Sequence, residues 1–232
     1  MSFAKTAAVI GVFALAPAAN AASLDFTIPS GGFTVQSYTD AAGSTAPNFV
    51  GGGITSEAGF ESIVIDAIGE NLDITISDPG AGNPYFDADS GGLPGGLGSC
   101  RNLTGSAQCT PNSDDNLTIG SGESLRLDFA LDDGSTIGAT FGDFTFRDDD
   151  HLLINGTISV IHDSGVAMIS ILNGIGDLSG IGVSEFLVFD DAGTQNYYVS
   201  GATITAVPVP AAVWLFGSAL MGLGWMRKKH IA

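Results

Sequence analysis

Ser124-Leu125-Arg126-Leu127-Asp128-Phe129-Ala130-Leu131 places a large apolar residue at every second position. That is the period of a strand with one buried face, and the rest of the fold class follows from it. Asn71-Leu72-Asp73-Ile74-Thr75-Ile76-Ser77 repeats the alternation, with Leu72, Ile74 and Ile76 on one side. Phe144, Phe146, Ile158, Val160, Phe186, Val188, Tyr198 and Ile204 carry the pattern through later segments. Asp132-Asp133-Gly134 and Asn173-Gly174 between them are turn chemistry, and Asn173-Gly174-Ile175-Gly176 predicts the opening of a hairpin. No stretch of the middle shows a convincing helical period. The expectation is all-β: an antiparallel β-sandwich, jelly-roll-like, with strands joined by Gly- and Asp-rich turns.

Charge is distributed unevenly. All 25 acidic residues of the 232-residue chain lie between Asp25 and Asp191, where only Arg101, Arg126 and Arg147 are basic. Four of the seven Lys and Arg residues sit at the extreme ends. Such acidity repels phosphate, which argues against nucleic acid and anionic lipid as partners. It keeps an exported protein dispersed and is compatible with divalent cations. Roughly 185 residues remain between the ends, enough for one sizeable core and too few for two comfortable domains.

The two ends read as addresses. Residues 1–21 have the three parts of a secretory signal: Lys5, an apolar run from Thr6 to Ala16, and Ala19-Asn20-Ala21 as a small-x-small cleavage site. Signal peptidase is expected to cut after Ala21. The run is too short to cross a bilayer core of about 30 Å. At the other end, Val207-Pro208-Val209-Pro210 precedes a charge-free run from Ala211 to Met226, then Arg227-Lys228-Lys229. Sixteen helical residues reach about 24 Å, and the flanking Ala and Val lengthen the apolar stretch. The segment predicts a C-terminal transmembrane helix in the inner membrane, with the basic stop in the cytoplasm and the acidic domain, residues 22–205, outside.

Residues 206–232 resemble the PEP-CTERM sorting tail, in the variant that begins Val-Pro-Leu-Pro-Ala. The residues that carry the resemblance are Val207, Pro208, Val209, Pro210, Ala211, Ala212, Trp214, Leu215, Phe216, Gly217 and Ser218, followed by the basic stop Arg227, Lys228 and Lys229. The resemblance implies recognition by an exosortase, a membrane cysteine protease-transpeptidase of Gram-negative bacteria. It also implies transient anchoring in the inner membrane and delivery to the cell surface or extracellular matrix. Members of that family often accompany exopolysaccharide and biofilm genes. A softer resemblance, to a pattern repeated in secreted proteins of the same class, runs through Tyr85-Phe86-Asp87, Pro94-Gly95-Gly96-Leu97-Gly98, Cys100, Cys109 and Ser113-Asp114-Asp115-Asn116. It implies family membership and no mechanism.

From Asp78 to Asn116 the strand rhythm breaks, and Gly, Pro, Ser and Asp predominate. A loop this long inside a compact domain is functional or locally stapled. Cys100 and Cys109 are the only cysteines, and export predicts that they form a disulfide. In the chain-entropy account it stabilises by roughly 2–3 kcal/mol. Asp87-Ala88-Asp89-Ser90-Gly91-Gly92 begins like a calcium loop, but Gly91 stands where an oxygen ligand is expected and Gly98 replaces the closing Glu. Asp114 and Asp115 could complete a calcium site with Asp87 and Asp89; the other reading is four solvated turn carboxylates. Asp148-Asp149-Asp150-His151 reads as a solvated turn between two strands.

No nucleophile elbow, phosphate-binding Gly loop or zinc-protease motif occurs in the sequence. Three function classes remain as expectations. The first is a non-catalytic envelope or extracellular protein, sorted by exosortase and associated with exopolysaccharide. The second is a carbohydrate-binding module, with Tyr38, Tyr85, Phe86, Tyr197 and Tyr198 as candidate stacking residues. The third, least favoured, is a secreted hydrolase lacking a local signature.

Overall fold

The computed structural model describes residues 21–27, 33–39, 49–50, 53–54, 57–67, 71–80, 82–87, 95–110 and 116–207. The expected signal peptide up to Asn20, the expected transmembrane helix and basic stop, and Asp89, Asp114 and Asp115 lie outside them. The strands in chain order are β1 (Ala21–Asp25), β2 (Phe33–Thr39), β3 (Phe49–Val50), β4 (Gly53–Ile54), β5 (Ala58–Gly59), β6 (Ser62–Ala67), β7 (Asp73–Ser77) and β8 (Asn83–Asp87). They continue with β9 (Gly96–Cys100), β10 (Ser124–Ala130), β11 (Gly138–Arg147), β12 (Gly156–His162), β13 (Gly165–Leu172), β14 (Ile175–Asp177), β15 (Phe186–Gly193) and β16 (Tyr198–Val207). Among the described residues a single 3₁₀ turn, Ser179–Ile181, interrupts them. No helix among the described residues is long and apolar enough to cross a membrane.

The all-β, antiparallel expectation matches the structure. Fourteen strands hydrogen-bond in one sheet, in the order β2-β6-β7-β10-β15-β12-β13-β14-β11-β16-β9-β8-β5, with β1 added to β16. The stacked pair of sheets expected from the sequence is not confirmed: these strands pair along one path, curled into a half-barrel, with β3 and β4 pairing separately. A period of two reports which residues share a face. It carries no information on whether the inward faces belong to two sheets or to one sheet bent round.

Side chains explain most of the ladder. In β10 and β7 the alternating residues Leu125, Leu127 and Phe129, and Ile74 and Ile76, are all buried. The two strands pair directly, Leu127 opposite Ile76 and Phe129 opposite Ile74. Phe141 and Phe144 are three residues apart in β11 yet both enter the core, because a bulge at Gly142-Asp143 resets the register against β16. Between β13 and β14, Asn173 (φ 51°) and Gly174 (φ 75°) form a two-residue hairpin turn. Two successive positive φ angles are what Asn-Gly supplies cheaply, and they match the twist of the flanking strands.

Two expectations need correction. In β15 the residues that join the core cluster are Leu187 and Phe189, whereas Phe186 is half-buried on the opposite face beneath Arg126, 4.2 Å from its ring centre. Phe186-Leu187-Val188-Phe189 is apolar throughout, so its period could not choose a face. The region from Asp78 to Asn116 contains a hairpin, β8 against β9, with Asn83 opposite Cys100 and Asp87 opposite Gly96. Every residue of β9 is buried, although Gly96-Leu97-Gly98-Ser99-Cys100 has no apolar alternation. Backbone closeness specifies it: a Cβ on Gly96 (φ 115°) would stand 2.6 Å from the Val199 carbonyl oxygen and 2.7 Å from Ser200 Cα. Cys100 and Cys109 are disulfide-bonded, their Cα atoms 5.9 Å apart, and the bond closes the loop that follows β9.

Candidate functional site

Among the carboxylates considered for calcium, Asp87 is the one the structure describes. It ends β8, is 1% exposed, and does not stand in a solvated turn. Its Oδ2 accepts a hydrogen bond from the Gly95 N–H (2.9 Å) and lies 2.8 Å from His151 Nε2. His151 comes from the turn between β11 and β12. That turn forms as expected: Asp148 Oδ1 accepts from the N–H groups of Asp150 (3.1 Å) and Leu152 (2.8 Å). The histidine adopts φ 61°, and its ring meets Tyr198 edge to face at 5.5 Å between centroids. Arg147 Nη1 donates to the His151 carbonyl (2.7 Å), while its Nε is buried with no hydrogen-bond partner. The contact ties the β8–β9 hairpin to the β11–β12 turn across 64 residues of sequence, a separation for which no local motif exists.

A second acidic constellation was not anticipated. Asp66 and Asp73 are cross-strand partners on β6 and β7, and Asp132 follows β10. Their carboxylate oxygens lie within 4.8 Å of one another. Gln36 Nε2 donates to Asp73 (2.6 Å), and the Asn71 amide, with its nitrogen turned to the carboxylate, donates to both Asp132 oxygens (2.8 and 3.1 Å). Burial first, and the charge of Asp132 second, raise the carboxyl pKa of both Asp66 and Asp73. Three such oxygens are the donor type a hard divalent cation takes; protonation relieves the same repulsion. Asp66 and Asp73 are joined by strand register across separate acidic positions, so linear spacing within an acidic run could not have found the group.

A polar groove of about 290 Å³ lies on the outer side of β1, β16 and β11. Gly201 is buried at its base, where a Cβ would stand 3.0 Å from the Leu24 carbonyl oxygen and 3.6 Å from Thr145 Oγ1. Asp25 borders it from β1, Thr203 from β16, and Asp143, Thr145 and Arg147 from β11. Of the five aromatic residues expected as sugar platforms, Tyr85, Phe86, Tyr197 and Tyr198 are at most 2% exposed and only Tyr38, at 37%, reaches the surface. Phe86 packs among Phe26, Phe33 and Phe60, and Tyr197 against Phe146. The core needed the large rings, and the groove contains none of them.

The last strand leads to the remaining candidate. β16 ends at Val207, and Pro208, which has no N–H to donate, follows at once. Residues 206–228 match the family described as the PEP-CTERM protein-sorting motif. The chain carries a PEP-CTERM sorting motif. It therefore stands as an exosortase substrate, exported and sorted toward the cell surface of a Gram-negative bacterium. Val207 through Ser218, with Arg227 and Lys228, fall inside the PEP-CTERM match, and Lys229 lies just beyond it. From Pro208 onward these residues are outside the described part of the structure. No curated protein and no solved structure matches the chain.

Proposed function

We propose that this is a non-catalytic cargo protein that exosortase processing releases from a transient hold in the inner membrane, and that its acidic β domain associates with the exopolysaccharide matrix outside the cell. The observation that carries the reading is the sorting motif at residues 206–228, beginning on the final strand of the folded domain. The acidity of that domain supports it as well, since excess carboxylate keeps a secreted protein dispersed and away from anionic lipid. Cell fractionation with and without the exosortase tests the sorting half. A shorter chain at the surface or in the medium is expected only where the enzyme is present, and identical size and location in both strains would end the proposal.

The groove along β1, β16 and β11 favours a second reading, a carbohydrate-binding module. Carboxylates that accept from sugar hydroxyls stand there beside hydroxyls and a guanidinium that donates. Without an aromatic platform the affinity would be weak. Pull-down with the native polysaccharide, compared between the wild-type chain and Thr145→Arg, is expected to show loss of retention on filling the groove. Equal retention by the two chains would remove the groove from the account.

A further inference from the structure

The sorting motif and the folded sheet share two residues. Ala206 and Val207 open the matched segment and are also the last two residues of β16. The final rungs of the β11–β16 ladder set Thr205 against Thr140, Ala206 against Ala139, and Val207 against Gly138. A Thr–Thr pair stabilises a ladder through its side chains, an Ala–Ala pair is the baseline, and glycine offers nothing to pack against. With the signal peptide cut after Ala21, the pairing of β1 with β16 begins at Ala22 opposite Ile204, so among the described residues Ala206 and Val207 pair with β11 alone, and Ala206 also packs against the core. Strand pairing thus weakens rung by rung as it approaches the motif.

Pro208 and Pro210 cannot donate to a ladder and stop it where it is weakest. Only Pro208, Val209 and Pro210 separate Val207 from the charge-free run that starts at Ala211. A protease takes its substrate as unpaired chain, and residues bound in a sheet are protected according to how rarely that part of the sheet opens.

We propose that the end of β16 controls processing: exosortase acts on the fraction of molecules in which Val207 and Ala206 have peeled from β11, and the Gly138 and Ala139 rungs set that fraction. The inference rests on the reading of the chain as an exosortase substrate. It assigns Gly138, Ala139 and Thr205 a positioning role, since none of them lies within the apolar tail.

The test staples the strand end in the full chain. Ala139→Cys with Ala206→Cys places two thiols on directly opposed residues, whose separation of about 4.5–5.5 Å suits a disulfide. Peptide mapping establishes that the staple has formed and that Cys100–Cys109 is intact. In cells that contain the exosortase, tail removal is expected to slow at least about tenfold, and insertion of Gly-Ser-Gly-Ser between Val207 and Pro208 is expected to restore it. A stapled chain processed at the wild-type rate overturns the inference, and so does a spacer that fails to rescue. A second variant needs no staple: Thr205→Gly removes the last stabilising pair and is expected to speed processing about twofold, with an equal or lower rate counting against the proposal. The unaltered chain in cells lacking the enzyme separates the two levels, because tail loss unchanged there sinks the exosortase reading itself.

Discussion

Asp87 and Asp73 are both nearly removed from water, at 1% and 8% exposure, yet their surroundings differ in kind. Asp87 meets donors, the Gly95 amide and the His151 imidazole. Asp73 meets one amide donor, Gln36, and two further carboxylates, Asp66 and Asp132. A buried carboxylate supplied with donors acts as a tie between distant parts of the chain. One that faces its own kind resists ionisation and becomes a point where rising pH costs stability. The same residue type therefore strengthens one edge of the sheet and loads another.

The largest expected effect tests whether the Asp87 tie holds its hairpin unaided. Replacing Cys100 and Cys109 together by Ser should lower stability by about 2–3 kcal/mol in a denaturant melt, and reductant should reproduce the loss on the unaltered protein. A loss near zero would mean that the hydrogen bonds around Asp87 already hold β8 and β9 without covalent help.

His151→Ala comes next, at about 2 kcal/mol, because it removes the imidazole from a buried carboxylate and puts alanine at a positive φ. Combined with the cysteine changes in a double-mutant cycle, it should show coupling above about 0.5 kcal/mol. Additive effects would separate the tie from the disulfide and weaken the contrast drawn above.

Asp132→Asn should act in the opposite direction and least, stabilising by less than about 1 kcal/mol at pH 7 since Asp132 is exposed. The sign follows from the raised carboxyl values of Asp66 and Asp73, both above the usual 3.8. In the folded state these groups hold protons that the unfolded chain has already lost. Their contribution is therefore most favourable below the unfolded value and declines as pH rises through the folded values. The gain from Asp132→Asn should be present at neutral pH and absent near pH 3, read by thermal melts at the two values. An equal gain at both would show that charge is not the cause.

What could be read in the sequence depended on whether the signal was local. β7 and β10 declare themselves because Leu72, Ile74, Ile76, Leu125, Leu127 and Phe129 recur at the pleat period. The sorting motif is legible for the same reason, its proline pair, apolar run and basic stop being consecutive. Phe186 to Phe189 could not be assigned a face because all four residues are apolar. β9 was hidden because Gly96, which permits close backbone approach to Val199 and Ser200, and Gly98 erase the pattern a strand is recognised by. The acidic group at Asp66, Asp73 and Asp132 depends on register, and the bond from His151 to Asp87 on tertiary folding. Neither leaves a mark in linear spacing.

The antiparallel pairing of Ala22 with Ile204, at the start of the exported domain, also fixes how that domain would bear a mechanical load. The chain enters and leaves at the same end of one strand pair, so pulling its two ends apart would unzip β1 from β16 one hydrogen-bonded pair at a time instead of shearing many at once. Tension applied across the termini would meet little resistance at first, and the remaining strands would feel it only after that seam had parted.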